Sequence, residues 1–280
     1  MNITFIGGGN MAQAIIRGLL EKKSREFMRK NLRVVEINPQ TRAKLKRLGI
    51  ECFSEAWKAV RKDDVIIFAV KPQNMQEAAN DLRAKGYTSG LYPLNQLIIS
   101  IAAGVRLTDL MRWLKPTRRL IRAMPNTPAL IDEGITALYP LPRYISKADR
   151  QKADAILSAV GRTVWVRNED EMNAVTAISG SGPAYVFLFM EALEQAAIEL
   201  KLPEDIAHEL VLQTFIGASE LAAKSSDSLA ALRERVTSKG GTTEAALNSM
   251  AADRVKEAIV RAVKAAYERA RELGEEFGKQ

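Results

Sequence analysis

Residues that could form a redox or hydrolytic centre are scarce in this chain. Its 280 residues contain one cysteine, Cys52, and one histidine, His208. A single cysteine excludes an intrachain disulfide, a thiolate zinc cluster and a Cys-x-x-Cys redox motif. His208 lies in a helical pattern over 204–209, where we expect a structural or solvated role. Serine-histidine and cysteine-histidine hydrolases are therefore disfavoured, and nothing indicates a metal site.

Long apolar runs are also missing. No stretch approaches the about 18 uninterrupted apolar residues of a membrane-spanning helix. The N-terminus enters an apolar strand without a basic leader segment, which favours a cytoplasmic protein with no membrane partner. Because 280 residues exceed one typical domain and 47% of them are hydrophobic, we expect two globular domains.

The charge is unbalanced, with 41 lysines and arginines against 33 acidic residues and a formal charge of +8. The basic residues are scattered and interleaved with acidic ones along helical stretches, so we expect a solvated surface and no nucleic-acid partner. Such a field also attracts small anions, such as a dinucleotide or a carboxylate substrate.

Hydrophobic periodicity divides the chain into two parts near residue 165. Strands and helices alternate in the first part, which is typical of a parallel sheet in an α/β Rossmann domain. The predicted strands are 2–6, 32–37, 64–70, 96–101 and 119–124, and the predicted helices are 10–20, 40–48 and 107–114. We therefore predict a Rossmann domain over 1–165 and an all-α dimerisation domain over 166–280, because helical patterns alone follow Val166. A long helix over 172–200 is apolar on more than one face, which predicts burial against another subunit.

A glycine turn follows the first strand and opens the first helix. The pattern Gly7-x-Gly9-x-x-Ala12 in this position is a dinucleotide-binding fingerprint with alanine in place of the third glycine. Gly7 permits the tight turn, Gly9 lets a pyrophosphate approach the backbone, and Ala12 allows close helix packing. The free amides of the helix would bind the phosphates.

The sequence leaves the choice between NADH and NADPH open. An acid at the end of the second strand favours the free ribose hydroxyls, and a basic residue favours the 2′-phosphate. Glu36 could reach a ribose, Asn38 is nearer the tip of the strand, and Arg42 could turn toward a phosphate.

Six segments in order along the chain carry a family resemblance. They are FIGGGNMA at 5–12, AVKPQ at 69–73, AAGV at 102–105, RAMPNTP at 122–128, AVTAISGSGPAY at 174–185 and VTSKGGTTEAAL at 236–247. Together these segments resemble pyrroline-5-carboxylate reductase over nearly the whole chain.

The resemblance implies NAD(P)H-dependent reduction of 1-pyrroline-5-carboxylate to L-proline, the final step of proline biosynthesis, by a homodimer or a ring of dimers. It also implies site residues. The cofactor-binding residues would be Gly7, Gly9, Asn10, Met11, Ala12, Asn38, Ala69, Val70, Lys71, Pro72, Ala102, Ala103 and Gly104. The substrate-binding residues would be Glu169, Ser238, Gly241, Thr242 and Thr243.

Independently of the resemblance, residues 238–243 precede a helical pattern and offer hydroxyls and free helix amides, which suit an anion. A plain helix cap would explain one hydroxyl residue there. A protonated iminium needs little acid or base assistance, and we nominate the Thr243 hydroxyl as the catalytic proton donor. Two residues depart from the usual family pattern: Lys239 stands where many members have proline, and Arg235 where they have an asparagine near the cofactor.

Two other functions compete with this interpretation. A 3-hydroxyacid or 6-phosphogluconate type dehydrogenase also pairs a Rossmann half with a helical half, but such enzymes place a catalytic lysine after their interdomain glycines. Here no lysine follows Gly182 before Lys201. The second alternative is a non-catalytic dinucleotide-binding regulator, because a fold alone never proves turnover.

Overall fold

A computed structural model describes residues 1–22, 27–61, 64–88 and 95–279. The chain forms two compact units, one of Met1–Ser181 with Ala266–Gln280 and one of Gly182–Ala265. The domain boundary near residue 165 stays a prediction, although the last strand described ends at Trp165. The first unit nevertheless continues to Ser181 and also includes the C-terminal residues, whose return to the sheet has no local signal in the sequence.

One eight-stranded sheet forms the centre of the first unit, in the order β3-β2-β1-β4-β5-β6-β7-β8. The strands are β1 Asn2–Ile6, β2 Leu32–Val35, β3 Glu51–Phe53, β4 Asp64–Phe68, β5 Leu97–Ser100, β6 Leu120–Met124, β7 Gly134–Pro140 and β8 Gly161–Trp165. The first six run parallel, whereas β7 is antiparallel to β6 and parallel to β8.

The predicted α/β Rossmann class is confirmed, and each of the five predicted strands is present. Three strands were not predicted. The strands β3 and β8 lie at the two edges of the sheet, where β3 is only three residues long and β8 has no fully buried residue. A half-buried edge strand carries a weaker apolar pattern than a central one, which explains these omissions. The antiparallel β7 was also missed, although four of its residues at 136–140 are buried.

Helices cover both faces of this sheet. They are α1 Asn10–Glu21, α2 Pro39–Arg47, α3 Ala56–Ala59, α4 Met75–Thr88, α5 Leu107–Trp113, α6 Lys147–Leu157 and α7 Glu171–Val175. Neighbouring strand residues enter different cores: Ile67 and Ile99 pack in one apolar cluster, and Ile66 and Ile98 in the other. This alternation explains why the central strands read as continuous apolar runs.

Helices are the only regular secondary structure among the described residues of the second unit, as predicted. Its helices are α8 Gly182–Glu199, α9 Glu204–Lys224, α10 Leu229–Arg235, α11 Thr242–Ala252 and the first part of α12 Val255–Gly278. The long helix predicted over 172–200 is divided: α7 is followed by a π-helical turn, Thr176–Gly180, and then by α8. No helix among the described residues is long and apolar enough to cross a membrane.

Candidate active site

The loops predicted to hold a cofactor lie at one edge of the sheet. The ends of four parallel strands are in register, since Ile6 pairs with both Val35 and Phe68, and Phe68 pairs with Ser100. The strand order reverses between β1 and β4, which are neighbours in space although β2 and β3 separate them in the chain. Such a switch point opens a crevice at the carboxyl ends of the strands, where α/β proteins bind ligands.

Gly7 brings the glycine turn against the loop after β4. Its φ is +102°, a conformation that favours glycine, and its amide donates to the Val35 carbonyl at 2.8 Å. A Cβ at this position would lie 2.6 Å from the Ala69 carbonyl oxygen and 2.9 Å from the Val70 nitrogen. The fold therefore places two of the predicted cofactor segments in direct contact, and only glycine permits that approach.

Gly9 leaves open space in front of the first turn of α1. A Cβ built on Gly9 would meet no atom within 4 Å, and Gly9 caps the helix without a side-chain hydrogen bond. The first turn carries no acidic residue. The first amide that donates a hydrogen bond within the helix is that of Gln13, to the Gly9 carbonyl at 3.0 Å. Uncapped amides at the positive end of a helix dipole suit a pyrophosphate, so this turn fits a dinucleotide.

Beyond β2, the side chain of Glu36 reaches the glycine turn. Its Oε2 accepts from the Gly8 amide at 2.9 Å and its Oε1 from the Asn38 amide at 2.8 Å. Asn38 caps α2, because its Oδ1 accepts from the amides of Gln40 and Thr41 at 2.9 and 3.1 Å. Asn38 is exposed at the same edge as the glycine turn, where the sequence predicted a cofactor contact.

The loop Ala102–Gly104 follows β5 at this edge and is covered by the C-terminal end of α12. Gly104 has a φ of +76°, and a Cβ there would lie 3.1 Å from the ring of Phe277. Phe277 is 6% exposed and packs in the core of the first unit. The predicted Lys71 precedes a short 3-10 helix, Pro72–Asn74, in the loop after β4, and its side chain is exposed.

Glu169 lies in the first unit beside a buried arginine. Its Oε1 accepts from the Leu107 amide at 2.7 Å and from Arg122 Nη1 at 3.2 Å. The Arg122 side chain is only 4% exposed; burial lowers its pKa, and the carboxylate of Glu169 opposes that shift. Leu107 begins α5 just after the predicted cofactor loop Ala102–Gly104. Glu169, a predicted substrate residue, therefore binds the segment that follows this loop.

In the second unit, the predicted substrate residues surround the start of α11. Gly241 caps this helix without a side-chain hydrogen bond, and Thr242 and Thr243 form its first turn. Gly240 has a φ of +74°, and its amide donates to Glu244 at 2.7 Å. Ser238 and Thr242 are exposed, whereas Thr243 is half-buried. The structure therefore gathers the hydroxyls and the free amides of this segment at one helix end.

Both departures from the family pattern are exposed in the second unit. Arg235 Nη1 lies 2.6 Å from Asp227 Oδ2, so this arginine is paired within its own unit. Lys239 is exposed at the turn before α11. The single histidine, His208, is also exposed and lies 2.6 Å from Glu194 on α8, as expected for a solvated residue.

Two residues of this region, Arg122 and Phe277, have no predicted role in the sequence. An arginine within an otherwise apolar strand is a signal that could have identified Arg122, because a buried charge requires a partner. Phe277 carries no such signal, since its contact with Gly104 joins residues that are far apart in the chain.

Comparisons with known proteins agree with this arrangement. Residues 169–273 match the family model for pyrroline-5-carboxylate reductase dimerisation, which indicates a homo-oligomer. Residues 2–104 match the model for NADP oxidoreductase, coenzyme F420-dependent. A pyrroline-5-carboxylate reductase of Haemophilus influenzae is 41% identical over 272 residues, which cover 97% of this chain and 97% of that protein.

Two solved structures are similar over the same length. The pyrroline-5-carboxylate reductase of Coxiella burnetii has a TM-score of 0.87 and 36% identity, covering 97% of this chain and 98% of that one. The pyrroline carboxylate reductase of Plasmodium falciparum, solved with NADP bound, has a TM-score of 0.83 and 28% identity, covering 98% of each chain. The chain therefore belongs to the pyrroline-5-carboxylate reductase family and is an NAD(P)H-dependent oxidoreductase.

Proposed function

We propose that this chain reduces 1-pyrroline-5-carboxylate to L-proline, with the dinucleotide bound at the carboxyl edge of the sheet. The observation that carries the proposal is the uncapped N-terminus of α1 with open space in front of Gly9. When bound there, the reduced dinucleotide supplies a hydride for the imine carbon. The residues of the chain would bind and orient the two reactants. Holding the nicotinamide and the imine in the correct geometry would provide most of the rate acceleration.

The proposed cofactor contacts come from the four loops at this edge. Amides of the first turn of α1 would bind the pyrophosphate, since they combine free donors with the positive end of the helix dipole. The proposed contacts are Gly7, Gly9, Asn10, Met11, Ala12, Asn38, Ala69, Val70, Lys71, Pro72, Ala102, Ala103 and Gly104. The close approach of Gly7 to Ala69 supports the placement of two of these loops on one ligand.

The substrate carboxylate is proposed to bind at the start of α11. Ser238 and Thr242 offer exposed hydroxyls, and Gly241 caps the helix without a side-chain bond to its amides. A carboxylate is stabilised by free amides and hydroxyl donors at a helix N-terminus. The formal charge of +8 adds a field that attracts the anionic substrate.

Thr243 is the proposed catalytic residue. Hydride addition forms a C–H bond and converts the C=N double bond to a single bond, so the ring nitrogen must carry or receive one proton. The Thr243 hydroxyl is half-buried in the first turn of α11 and could donate to that nitrogen, with water returning the proton.

Glu169 is proposed to lie close to the substrate, through the oxygen that its structural contacts leave available. Both side-chain hydrogen bonds of Glu169 to described residues use Oε1. A carboxylate accepts about four hydrogen bonds, so Oε2 retains capacity for a ring nitrogen that carries a proton.

The homo-oligomer is proposed to be a dimer or a ring of dimers formed by the second unit. Large apolar side chains are exposed on α8, where Phe187 and Leu188 are each 64% exposed. Exposed apolar patches of this kind mark protein interfaces. We also propose a cytoplasmic location and no nucleic-acid partner, as expected from the sequence.

The test is a spectrophotometric assay with pyrroline-5-carboxylate and each reduced dinucleotide. We expect oxidation that depends on the imine. Thr243→Val, which removes the hydroxyl at similar volume, should lower kcat/KM by about 10- to 100-fold, the cost of one hydrogen bond to a charged group. Thr243→Ser, which keeps the hydroxyl, is the matched control and should retain most of the activity.

Each outcome of the assay has a defined meaning. If folded protein binds a dinucleotide but never oxidises it in the presence of the imine, the reductase proposal is wrong and a dinucleotide-binding regulator takes its place. Equal activity of Thr243→Val and the unmodified protein would remove Thr243 from the mechanism. A change in KM alone would assign Thr243 to carboxylate binding and not to proton donation.

A further inference from the structure

Glu36 makes four hydrogen bonds at the edge of the proposed cofactor crevice, and three of them involve backbone amides. Its backbone amide donates to the Phe53 carbonyl at 2.9 Å, and its carboxylate accepts from the amides of Gly8 and Asn38. The side chain is half-buried, and a Cβ on Gly8 would lie 3.2 Å from Glu36 Oε2. The carboxylate therefore lies between the glycine turn and the loop after β2, where an adenosine ribose binds in dinucleotide-binding sheets.

This carboxylate retains capacity for a ligand. An ionised carboxylate has about four acceptor positions, and the described residues use one on each oxygen. Two acceptor positions suit the two free hydroxyls of the adenosine ribose of NADH. A phosphate on the 2′ oxygen would instead bring a second anion against Glu36.

Two groups that could bind a 2′-phosphate already have partners among the described residues. Arg42 Nη1 donates to the carbonyls of Glu36 and Ile37 at 2.6 and 2.8 Å. The first free amides of α2, those of Gln40 and Thr41, are capped by Asn38. A phosphate on the 2′ oxygen would lie beside the fixed negative charge of Glu36.

We infer that Glu36 selects the coenzyme of this chain and favours NADH over NADPH. The inference rests on the proposed placement of the dinucleotide at the glycine turn. Like charges in close contact cost enough to produce a discrimination of about tenfold or more. We therefore expect the dissociation constant of NADPH to exceed that of NADH by at least about tenfold.

Calorimetric titration of each reduced dinucleotide, without imine, tests the inference. Glu36→Gln removes the charge at nearly constant shape. It should lower the ratio of the NADPH dissociation constant to the NADH dissociation constant by at least about fivefold. Glu51→Gln is the matched control, because it removes the same charge from the adjacent strand β3 at a side chain that is 60% exposed. The control should leave the ratio unchanged.

Arg42→Ala is the second variant, and it keeps the inference testable if Glu36→Gln fails to fold. Because Arg42 is bonded to backbone carbonyls, we expect the affinities for both dinucleotides to change by a similar factor. Tighter or equal binding of NADPH by the unmodified protein, an unchanged ratio in folded Glu36→Gln, or a selective loss of NADPH affinity in Arg42→Ala would each overturn the inference. Because these titrations contain no imine, they measure coenzyme binding alone. Their result therefore does not depend on whether the chain catalyses the proposed reduction.

Discussion

Two neighbouring glycines of the turn after β1 should respond to the same substitution in opposite ways. Gly7 has a φ of +102° and no room for a Cβ, whereas Gly9 has a φ of −68° and open space around it. We predict that Gly7→Ala impairs folding and that Gly9→Ala impairs dinucleotide binding alone. Each variant is therefore the control for the other.

The magnitudes follow from the local geometry. Forcing alanine into a positive φ costs about 1–3 kcal/mol, and the contact at 2.6 Å with the Ala69 backbone adds to that cost because backbone cannot rotate away. At Gly9 the alanine φ is ordinary, so the free energy of unfolding should change by less than about 1 kcal/mol. The new methyl group occupies the space that a pyrophosphate would enter, and losing one hydrogen bond to a charged group corresponds to about a 10- to 100-fold weaker affinity.

Urea unfolding of both variants and calorimetric titration with NADH or NADPH measure these effects. This prediction is wrong if Gly7→Ala unfolds at the same urea concentration as the unmodified protein. It is also refuted if Gly9→Ala, shown to be folded, binds the dinucleotide as tightly as before, because the pyrophosphate would then lie elsewhere.

Two further predictions concern the stability of the first unit. Burial acts to raise the pKa of Asp149, but hydrogen bonds from Arg119 and Ser146 bring it below its ordinary value. This carboxylate therefore stabilises the fold above its ordinary pKa of about 3.9 and loses the contribution as the pH falls through the lowered pKa. Asp149→Asn should lower the free energy of unfolding by about 1–3 kcal/mol at pH 7 and by less at a pH below about 3.9 in urea titrations, whereas an equal loss at both values would contradict the linkage. Phe277→Ala should lower the free energy of unfolding by about 3–5 kcal/mol and weaken dinucleotide binding, because Phe277 packs against the Gly104 loop. Phe277→Leu is the control and should lower the free energy of unfolding by less. Unchanged dinucleotide binding in folded Phe277→Ala would show that the C-terminal helix does not influence the cofactor site.

Central strands and the glycine turn were predictable because their signals are local. A strand buried on both faces must be apolar throughout, and β4 and β5 have that pattern. The turn at 7–12 combines a strand end, small residues and a helix start within a few positions. The edge strands β3 and β8 lack such patterns, since neither has a fully buried residue.

The assignment of roles in the candidate site depended on contacts that no local pattern contains. Glu36, Asn38 and Arg42 left the coenzyme choice open in the sequence, because side-chain type alone does not reveal which partner each group has. The fold pairs Glu36 with the Gly8 amide at the glycine turn, which supports the proposed preference for NADH, and it holds Arg42 Nη1 on two backbone carbonyls.

By itself the sequence determined the fold class, the dinucleotide turn and the family resemblance, all of which depend on residues close together in the chain or on the order of short motifs. Only the tertiary structure decided that the last turns of α12 cover the Gly104 loop and that Arg122 lies buried against Glu169. Both contacts join segments far apart in the chain. Their stability comes from burial, which depends on the assembled core and leaves no periodic trace in the sequence.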